Sequence, residues 1–292
     1  MPPPQTERGG TLYVVATPIG NLGDITLRAI EVLRDVPLIA AEDTRVTRRL
    51  LDRHSIETRS ISFHARSAPA RREELVAHLR GGADLALVTD AGTPLVSDPG
   101  TDLVAAWAAE GGRVVPIPGA SAVLAAVAAS GVAGPRWTFE GFLPRSGRER
   151  RERIAAIAGD TRGAVLFEAP GRVAATLRDL TAACGEGRAG AVARELTKVH
   201  EQIERGTLGE LAVALADGTI ATRGEFVIVV GTGEVAADPA ARAADVDAAR
   251  AAVERLVSEG IARGEAARRV AADTGISRRR LYGAGLGTAD DT

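Results

Sequence analysis

The segment L-A-L-V-T-D-A-G-T-P-L-V-S-D-P-G, at residues 85–100, decides the fold. It opens with a short apolar run, which is typical of a strand that is buried on both faces. A polar loop with two glycines, two prolines and two aspartates follows, and a helical pattern begins at Thr101. A buried strand that leads through such a loop into a helix is the unit of a parallel α/β sheet, and ligands bind such sheets at the carboxyl ends of the strands.

The same alternation extends to both sides of this segment. Before it, we predict strands at 12–16, 37–41 and 59–63 and helices at 26–34, 44–54 and 68–80; after it, a helix at 101–110 and a strand at 113–117. A second series begins near Trp137, with strands at 137–142, 164–169, 190–195 and 225–231 and helices between them. The pattern therefore predicts two α/β domains, at residues 11–118 and 119–235.

The composition changes after Gly233. An alanine-rich stretch containing Pro239 is typical of a linker that runs into a helix, and Gly260 is placed to end that helix. Residues 260–282 have the pattern of two short helices around Thr274 and Gly275, similar to a helix-turn-helix. We predict a small basic helical domain at residues 243–286. A pair of solvated helices on the main body is the alternative interpretation.

Composition excludes several classes of protein. Among the 292 residues, 45% are hydrophobic and 25% are charged, which excludes wholesale disorder. The formal charge is −2, so any nucleic-acid site must be a local patch. The single cysteine, Cys184, cannot form an internal disulfide, which indicates a reducing compartment, and we expect it in the core. The sequence lacks a signal peptide and any run of about 18 apolar residues, so we expect a cytoplasmic protein without membrane contact.

Two familiar kinds of site are also excluded. The chain has one lysine, Lys198, and Val199 follows it, so the phosphate-binding loop of P-loop nucleotidases is missing. The four histidines do not pair at metal-ligand spacing, and we expect no metal. A G-A-G-L-G string at residues 283–287 has no strand before it, so it does not predict a dinucleotide site.

Six further motifs accompany the loop at residues 89–100. They are T-P-I-G-N-L-G-D at 17–24, A-E-D-T-R at 41–45, P-G-A-S-A-V at 118–123, F-E-G-F-L-P-R at 139–145, E-A-P-G-R at 168–172 and A-R-E-L-T-K at 193–198. With these motifs in this order, residues 11–282 resemble the tetrapyrrole methylase superfamily. Within it, A-E-D-T-R and D-A-G-T-P-L-V-S-D-P-G resemble the branch of bacterial enzymes that methylate the 2′-hydroxyl of a cytidine ribose in 16S ribosomal RNA.

The resemblance implies a fold, a cofactor and partners. The expected fold has two α/β domains with S-adenosylmethionine in the cleft between them, and the expected partners are 16S rRNA in the small ribosomal subunit and a second copy of the chain. The resemblance implies no metal. The residues that it places at the cofactor are Pro18, Ile19, Gly20, Asp90, Gly92, Thr93, Pro94, Val96, Ser121, Ala122, Phe167, Glu195, Leu196 and Phe226.

Methyl transfer to a ribose hydroxyl needs positioning and is helped by a general base. With one lysine, the chain cannot build the Lys-Asp-Lys-Glu tetrad that many ribose methyltransferases use. Our hypothesis places Asp43 and Arg45 at the reacting ribose; the alternative is that Asp43 or Thr44 only caps a helix and forms a surface ion pair. The candidates are Asp43 or Glu42 as base or orienting group, His64, and Lys198 or Arg45 as stabilisers of the developing alkoxide.

RNA affinity is expected from local arginine patches. The candidates are Arg145, Arg148, Arg150 and Arg151 after F-L-P, and Arg268, Arg269, Arg278, Arg279 and Arg280 near the carboxyl terminus. Solvated helix faces are the alternative interpretation of both patches. For the whole chain, two other functions compete: a methylase of a small tetrapyrrole, against which the basic appendage and A-E-D-T-R argue, and a non-catalytic nucleic-acid-binding protein, against which the cofactor loops argue.

Overall fold

The computed structural model describes residues 9–233, 239–274, 276 and 281. The chain divides into two compact units, residues 1–233 and 234–292. The first unit contains both predicted α/β series, and the second contains the helices near the carboxyl terminus.

The first α/β series forms a five-stranded sheet in which every strand pair is parallel. Its strands are β1 Thr11–Val15, β2 Leu38–Ala41, β3 Ser60–Ser62, β4 Leu85–Val88 and β5 Arg113–Ile117, in the order β3-β2-β4-β1-β5. The connecting helices are α1 Leu27–Asp35, α2 Thr44–Arg53, α3 Pro69–Arg80 and α4 Thr101–Ala109. Helices cover both faces, so the central strand β4 is buried along its whole length and reads as one apolar run.

The second series forms a mixed sheet. Its strands are β6 Trp137–Phe142, β7 Gly163–Glu168, β8 Ala189–Arg194, β9 Gln202–Thr207 and β10 Phe226–Val230, in the order β6-β7-β10-β8-β9. Strand β6 is parallel to β7, and the other pairs are antiparallel. Helix α5 Ala122–Ser130 packs on one face, and α6 Gly147–Gly159, α7 Val173–Cys184 and α8 Leu208–Ala216 pack on the other.

The predicted α/β fold is confirmed, but strand β9 and helix α5 were not among the predicted elements. Strand β9 was not predicted because Gln202–Thr207 has only one large apolar residue, Ile203; it forms as an edge strand because β8 supplies its pairing partner. Cys184 was expected in the core but is only partly buried, at the end of α7. Helix α5 packs on the second sheet.

The described residues of the second unit form two helices, α9 Pro239–Ser258 and α10 Arg263–Thr274, which pack through Val253, Ala266 and Val270. Gly260, with φ +93°, lies in the turn after α9, as its predicted role requires. The first of the two predicted short helices corresponds to α10, whereas Gly275 and residues 277–280 lie outside the described residues. In the described part of the chain, every helix is too short or too polar to span a bilayer.

Candidate active site

A cavity of about 360 Å³ lies between the carboxyl ends of the first sheet and the second sheet. The loops after β1, β4 and β5 form one wall, and the ends of β6 and β7 and the start of β10 form the other. The lining residues are Ile19, Ala91, Gly92, Thr93, Val96, Ser97, Asp98, Ser121, Ala122, Val123, Phe142, Phe167, Glu168, Ala169, Pro170, Glu225, Phe226 and Val227. This is the position at which α/β sheets bind ligands.

The loops after β1 and β4 hold each other in place. The Thr17 amide donates to the Gly92 carbonyl over 2.9 Å, the Gly92 amide donates back over 3.1 Å, and the Thr17 hydroxyl donates to the Thr89 carbonyl over 3.0 Å. Gly92 has φ +87°, and a Cβ atom there would lie 3.3 Å from Ile19 Cγ2. Only glycine adopts this conformation without strain, and its missing side chain keeps the cavity open.

Strained backbone is concentrated beside the cavity. Leu95 and Ser97 in the β4 loop, and Glu195 and Thr197 in the loop after β8, all have positive φ angles between 49° and 72°. Such conformations cost about 1–3 kcal/mol each and are found most often at functional sites. The two loops flank the cleft, and the Thr197 hydroxyl accepts a hydrogen bond from the Asn21 amide in the β1 loop.

The predicted cofactor residues divide into two groups. Eight of them line the cavity: Ile19, Gly92, Thr93, Val96, Ser121, Ala122, Phe167 and Phe226. The other six do not: Pro18, Gly20, Asp90, Pro94, Glu195 and Leu196. Leu196 is buried in the core, and the Glu195 carboxylate is held by Lys198 Nζ at 2.9 Å and by the Glu225 amide at 2.9 Å.

Several lining residues were not singled out from the sequence. Asp98 and Ser97 belong to the quoted loop at residues 89–100, where only the first aspartate, Asp90, was chosen. Glu168 belongs to E-A-P-G-R; its side chain is fully buried and accepts hydrogen bonds from Thr176 Oγ1 at 2.6 Å and from the Ala169 amide. The acidic residues that recur in these loops are the sequence feature that could have identified Asp98 and Glu168.

Asp43 and Arg45 form the predicted pair, and its geometry is that of a capped helix. The Asp43 carboxylate accepts from the Arg45 amide at 2.8 Å, from Arg45 Nε at 3.0 Å and from Arg45 Nη2 at 2.6 Å, and Asp43 is the N-cap of α2. These bonds to Arg45 lower the pKa of Asp43 to about 2. A carboxylate that is so acidic is a weak base, so the pair is better suited to orienting or stabilising a substrate.

Three other carboxylates lie close together where β2 and β4 end. Glu42 Oε2 accepts from the Thr89 hydroxyl at 2.6 Å, and Asp90 Oδ1 accepts from the Asp43 amide at 3.0 Å. Burial raises the pKa of Asp98 to about 6; a hydrogen bond with Thr89 opposes this shift, and repulsion from Glu42 and Asp90 adds to it. Burial also raises the pKa of Asp90. A carboxyl group with a pKa of about 6 can exchange a proton close to neutral pH, as Asp98 does here.

The two remaining catalytic candidates, Lys198 and His64, do not line this cavity. Lys198 Nζ lies 2.9 Å from both Glu195 Oε1 and Glu225 Oε2, and these carboxylates raise its pKa while burial opposes them. The His64 ring is exposed, and its Nδ1 accepts from the Arg66 amide at 3.1 Å. Lys198 therefore remains a cation beside this cavity. His64 offers its Nε2–H to solvent.

The predicted RNA-binding arginines differ in accessibility. Arg145, Arg148 and Arg151 are exposed, whereas Arg150 is 8% exposed and donates to Asp179 Oδ2, to Thr176 Oγ1 and to the Pro144 carbonyl. Arg150 was expected in an exposed basic patch, but it is buried and its guanidinium is held by these three partners.

In the second unit, Arg268 and Arg269 are exposed, and both pair with Glu265. Arg278, Arg279 and Arg280 lie outside the described residues.

Comparison with known proteins adds independent information. The family model described as Tetrapyrrole (Corrin/Porphyrin) Methylases matches residues 11–212. The ribosomal RNA small subunit methyltransferase I of Synechocystis sp. is 46% identical over 274 residues, covering 94% of this chain and 96% of that protein. The protein of the same name from Xylella fastidiosa is 45% identical over 278 residues, covering 94% and 98%.

Solved structures share the fold at low sequence identity. A cobalt precorrin-4 methyltransferase of cobalamin biosynthesis superposes with a TM-score of 0.57 at 18% identity, covering 76% of this chain and 94% of that one. The uroporphyrin-III C-methyltransferase of Thermus thermophilus, complexed with S-adenosyl homocysteine, gives a TM-score of 0.55 at 18% identity, covering 77% and 98%.

Proposed function

The chain belongs to the tetrapyrrole methylase family, and from that premise we propose that it transfers a methyl group from S-adenosylmethionine to the 2′-hydroxyl of a cytidine ribose in 16S rRNA of the small ribosomal subunit. The observation that carries the proposal is the cavity lined by the family's loops in a chain whose relatives, over almost their full length, are named as rRNA methyltransferases. The choice of cytidine as the nucleotide and of the 2′-oxygen as the methylated atom rests on the family resemblance of A-E-D-T-R and of the loop at residues 89–100.

The lining of the cavity fits S-adenosylmethionine. Its volume of about 360 Å³ lies in the usual range for small-molecule sites. Phe167, Phe226 and Val227 offer apolar surface for an adenine ring. Gly92 leaves the space that a Cβ atom would fill beside Ile19. When bound, this cofactor supplies an electrophilic methyl carbon, so the protein's main task is positioning.

At the acceptor, the residues of the A-E-D-T-R motif have the proposed supporting role. The Asp43 and Arg45 pair orients the ribose or its phosphate, because the Arg45 side chain is 88% exposed and held in one direction by Asp43. Glu42 fixes the β4 loop through Thr89, and Lys198 adds positive charge at the rim. This geometry favours positioning over proton transfer for the pair.

RNA contact is assigned to the exposed arginines of the first unit, Arg145, Arg148 and Arg151, and to Arg268 and Arg269 of the second unit. These residues carry the positive charge that phosphate binding needs in a chain whose net charge is −2. Arg278, Arg279 and Arg280 stay in the proposal on sequence grounds alone. The basic patches favour an RNA substrate over a small tetrapyrrole.

The finer parts of the proposal are a homodimer, a cytoplasmic location and a reaction without metal. The first and third rest on the family resemblance, and the location rests on the substrate and on the single cysteine. Sedimentation equilibrium tests the dimer: a single species with the monomer mass would reject it. Full activity in excess chelator is the expected result for the reaction without metal.

Methyl incorporation from labelled S-adenosylmethionine tests the proposed function. Small subunits from a strain that lacks the modification, naked 16S rRNA and a tetrapyrrole precursor are offered in parallel. We expect label in the subunits. Label in the tetrapyrrole alone would favour the competing methylase, and failure to bind the cofactor in calorimetry would favour a non-catalytic nucleic-acid-binding protein.

A further inference from the structure

A second cavity, of about 330 Å³, lies beside the first. The carboxyl end of β3, the start of α3 and the start of α4 enclose it, and its lining is polar. The lining residues are Phe63, His64, Ala65, Ser67, Ala68, Pro69, Arg72, Asp98, Pro99, Gly100, Thr101 and Asp102. The proposed cofactor loops account for the first cavity and leave this one without a role.

Asp98 joins the two cavities. Within the part of the chain that the structure describes, it is the one residue that lines both. It lies in the β4 loop between Ser97, whose backbone has φ +72°, and Pro99, so its backbone is held between a strained and a rigid residue. A group bound in the second cavity would therefore reach the first cavity past the Asp98 carboxylate.

The second cavity presents hydrogen-bonding groups of both kinds. The Nε atom of Arg72 is buried and has no hydrogen-bond partner among the described residues, and Asp102 lies 3.9 Å from Arg72 Nη1 with more than half of its side chain exposed. A cytosine ring offers an amine donor beside ring nitrogen and carbonyl acceptors, and carboxylates recognise that amine. The Arg72 donors and the Asp102 acceptor complement this edge.

We infer that the second cavity binds the acceptor cytidine, flipped out of the RNA, and that Asp98 is the general base that takes the proton of its 2′-hydroxyl. The inference rests on the proposed function. Enzymes that modify a stacked nucleotide turn it into a pocket that reads its edge. With the edge of the base against Arg72 and Asp102, the ribose lies at Asp98, where the two cavities meet.

The step balances without a further reactant. The ribose oxygen forms a bond to the methyl carbon, the carbon–sulfur bond breaks, and its electron pair stays on sulfur, which becomes neutral. The Asp98 carboxylate accepts the hydroxyl proton and then loses it to water. A pKa raised to about 6 by burial lets Asp98 be ionised at pH 7 and still accept a proton more readily than Asp43, whose pKa is about 2.

The charged surroundings of Asp98 set the expected pH dependence. Glu42 and Asp90 face it from the ends of β2 and β4; His64, Arg72 and Asp102 line the second cavity, and Glu168 and Glu225 line the first. The two charges that shift its pKa, Glu42 and Asp90, are acidic and favour the protonated form. The single-turnover rate of the wild-type enzyme should therefore rise through about pH 6 and level off above it.

The first test replaces the proposed general base, Asp98. Asp98→Asn keeps the shape of the side chain and should lower the single-turnover rate on unmodified subunits by about 100-fold or more, the usual contribution of a general base, and remove the rise near pH 6. Calorimetry should show that S-adenosylmethionine binds within about threefold of wild type. The control is Asp52→Asn on the exposed side of α2, which should leave rate and profile unchanged. A variant that keeps the wild-type rate, or the wild-type pH profile, overturns the assignment of Asp98.

The second test fills the second cavity with a larger side chain and measures the binding of unmodified subunits in the absence of cofactor. Ala65 is exposed at the mouth, so Ala65→Trp should fold, occupy the second cavity and weaken equilibrium binding of unmodified subunits by about tenfold, with cofactor affinity unchanged. The matched control is Ala109→Trp at the exposed end of α4. Subunit affinity of Ala65→Trp at or above the wild-type value overturns the pocket assignment. If the wild-type chain transfers no label to the subunits, both the proposed function and this inference are rejected. If the wild-type chain does transfer label but Asp98→Asn and Ala65→Trp behave like wild type, only the inference is rejected.

Discussion

At the scale of single residues, two aspartates at one sheet edge have opposite properties. Asp43 is bound by Arg45, so its pKa falls to about 2, whereas burial, with repulsion from Glu42 and Asp90, raises the pKa of Asp98 to about 6. Both stand in motifs that the sequence predicts to be functional. Sequence spacing cannot distinguish them, because the distinction depends on burial and on which charges the fold brings together.

Substitution of Asp43 tests the hypothesis that the pair lies at the ribose. Asp43→Ala should lower turnover on subunits about tenfold with unchanged cofactor affinity, and should cost about 1 kcal/mol of stability because α2 loses its cap. The matched control is Asp160→Ala, because Asp160 makes the same bonds to Arg162 at the end of α6, outside the motifs of the predicted site. Full turnover by Asp43→Ala would remove the hypothesis.

Asp98 also predicts a pH dependence of stability. Its folded pKa of about 6 exceeds the ordinary value of 3.8, so the folded protein binds the proton more tightly, and the cost of ionising Asp98 is absent below about pH 4 and complete above about pH 6. Asp98→Asn removes this cost. Its melting temperature should exceed that of wild type at pH 7, and the difference should shrink as the pH falls to 4; calorimetric scans at the two pH values measure it. A difference that does not depend on pH would contradict the assigned pKa.

At the scale of elements, the alternation of strands and helices is readable because the first sheet is buried on both faces. Its strands are short apolar runs, and the helices between them bury apolar residues such as Leu33, Leu51 and Leu79. The edge strand β9 escaped prediction because its stability comes from pairing with β8 rather than from its own residues. Helix α5 was obscured because Ala122–Ser130 is apolar on all sides.

The β4 loop is the element on which the cofactor site depends. Gly92→Ala should destabilise the protein by about 1–2 kcal/mol because of its positive φ, and should also weaken S-adenosylmethionine binding at least tenfold because the added Cβ disturbs Ile19. Gly82→Ala is the matched control: Gly82 has φ +84° and no atom within 4 Å of an added Cβ, so only its stability should fall. Equal cofactor affinities in calorimetry would contradict the assigned cavity.

At the scale of the whole molecule, the fold class and the loops around the cleft are predictable from sequence. Which charged side chains the fold buries and which it leaves exposed is not predictable. Arg150 belongs to the predicted basic patch, yet it is buried against Asp179, while Arg145 and Arg151 remain exposed. The second cavity also cannot be predicted from the sequence, because the starts of α3 and α4 and the end of β3 enclose it. Residues far apart in the chain must meet before such a site exists.

The exposed arginines of the first unit predict a salt effect on RNA binding. Reversing Arg145, Arg148 and Arg151 to Glu should weaken binding of 16S rRNA and reduce the slope of log affinity against log salt by up to about three, with unchanged cofactor affinity. The control reverses Arg34, Arg53 and Arg59, which are exposed at the opposite edge of the first sheet, for the same change in net charge. Equal slopes for the two triple variants would show that the patch does not contact phosphates.

The most direct measurement of the central claim maps the methyl group that this chain adds to small ribosomal subunits lacking the modification. After reaction with labelled S-adenosylmethionine, the 16S rRNA is hydrolysed with alkali, which spares the linkage next to a 2′-O-methylated ribose. The proposed function predicts label in one alkali-resistant dinucleotide that begins with a methylated cytidine. Label on a base, on another nucleotide, or only in a tetrapyrrole acceptor would contradict it.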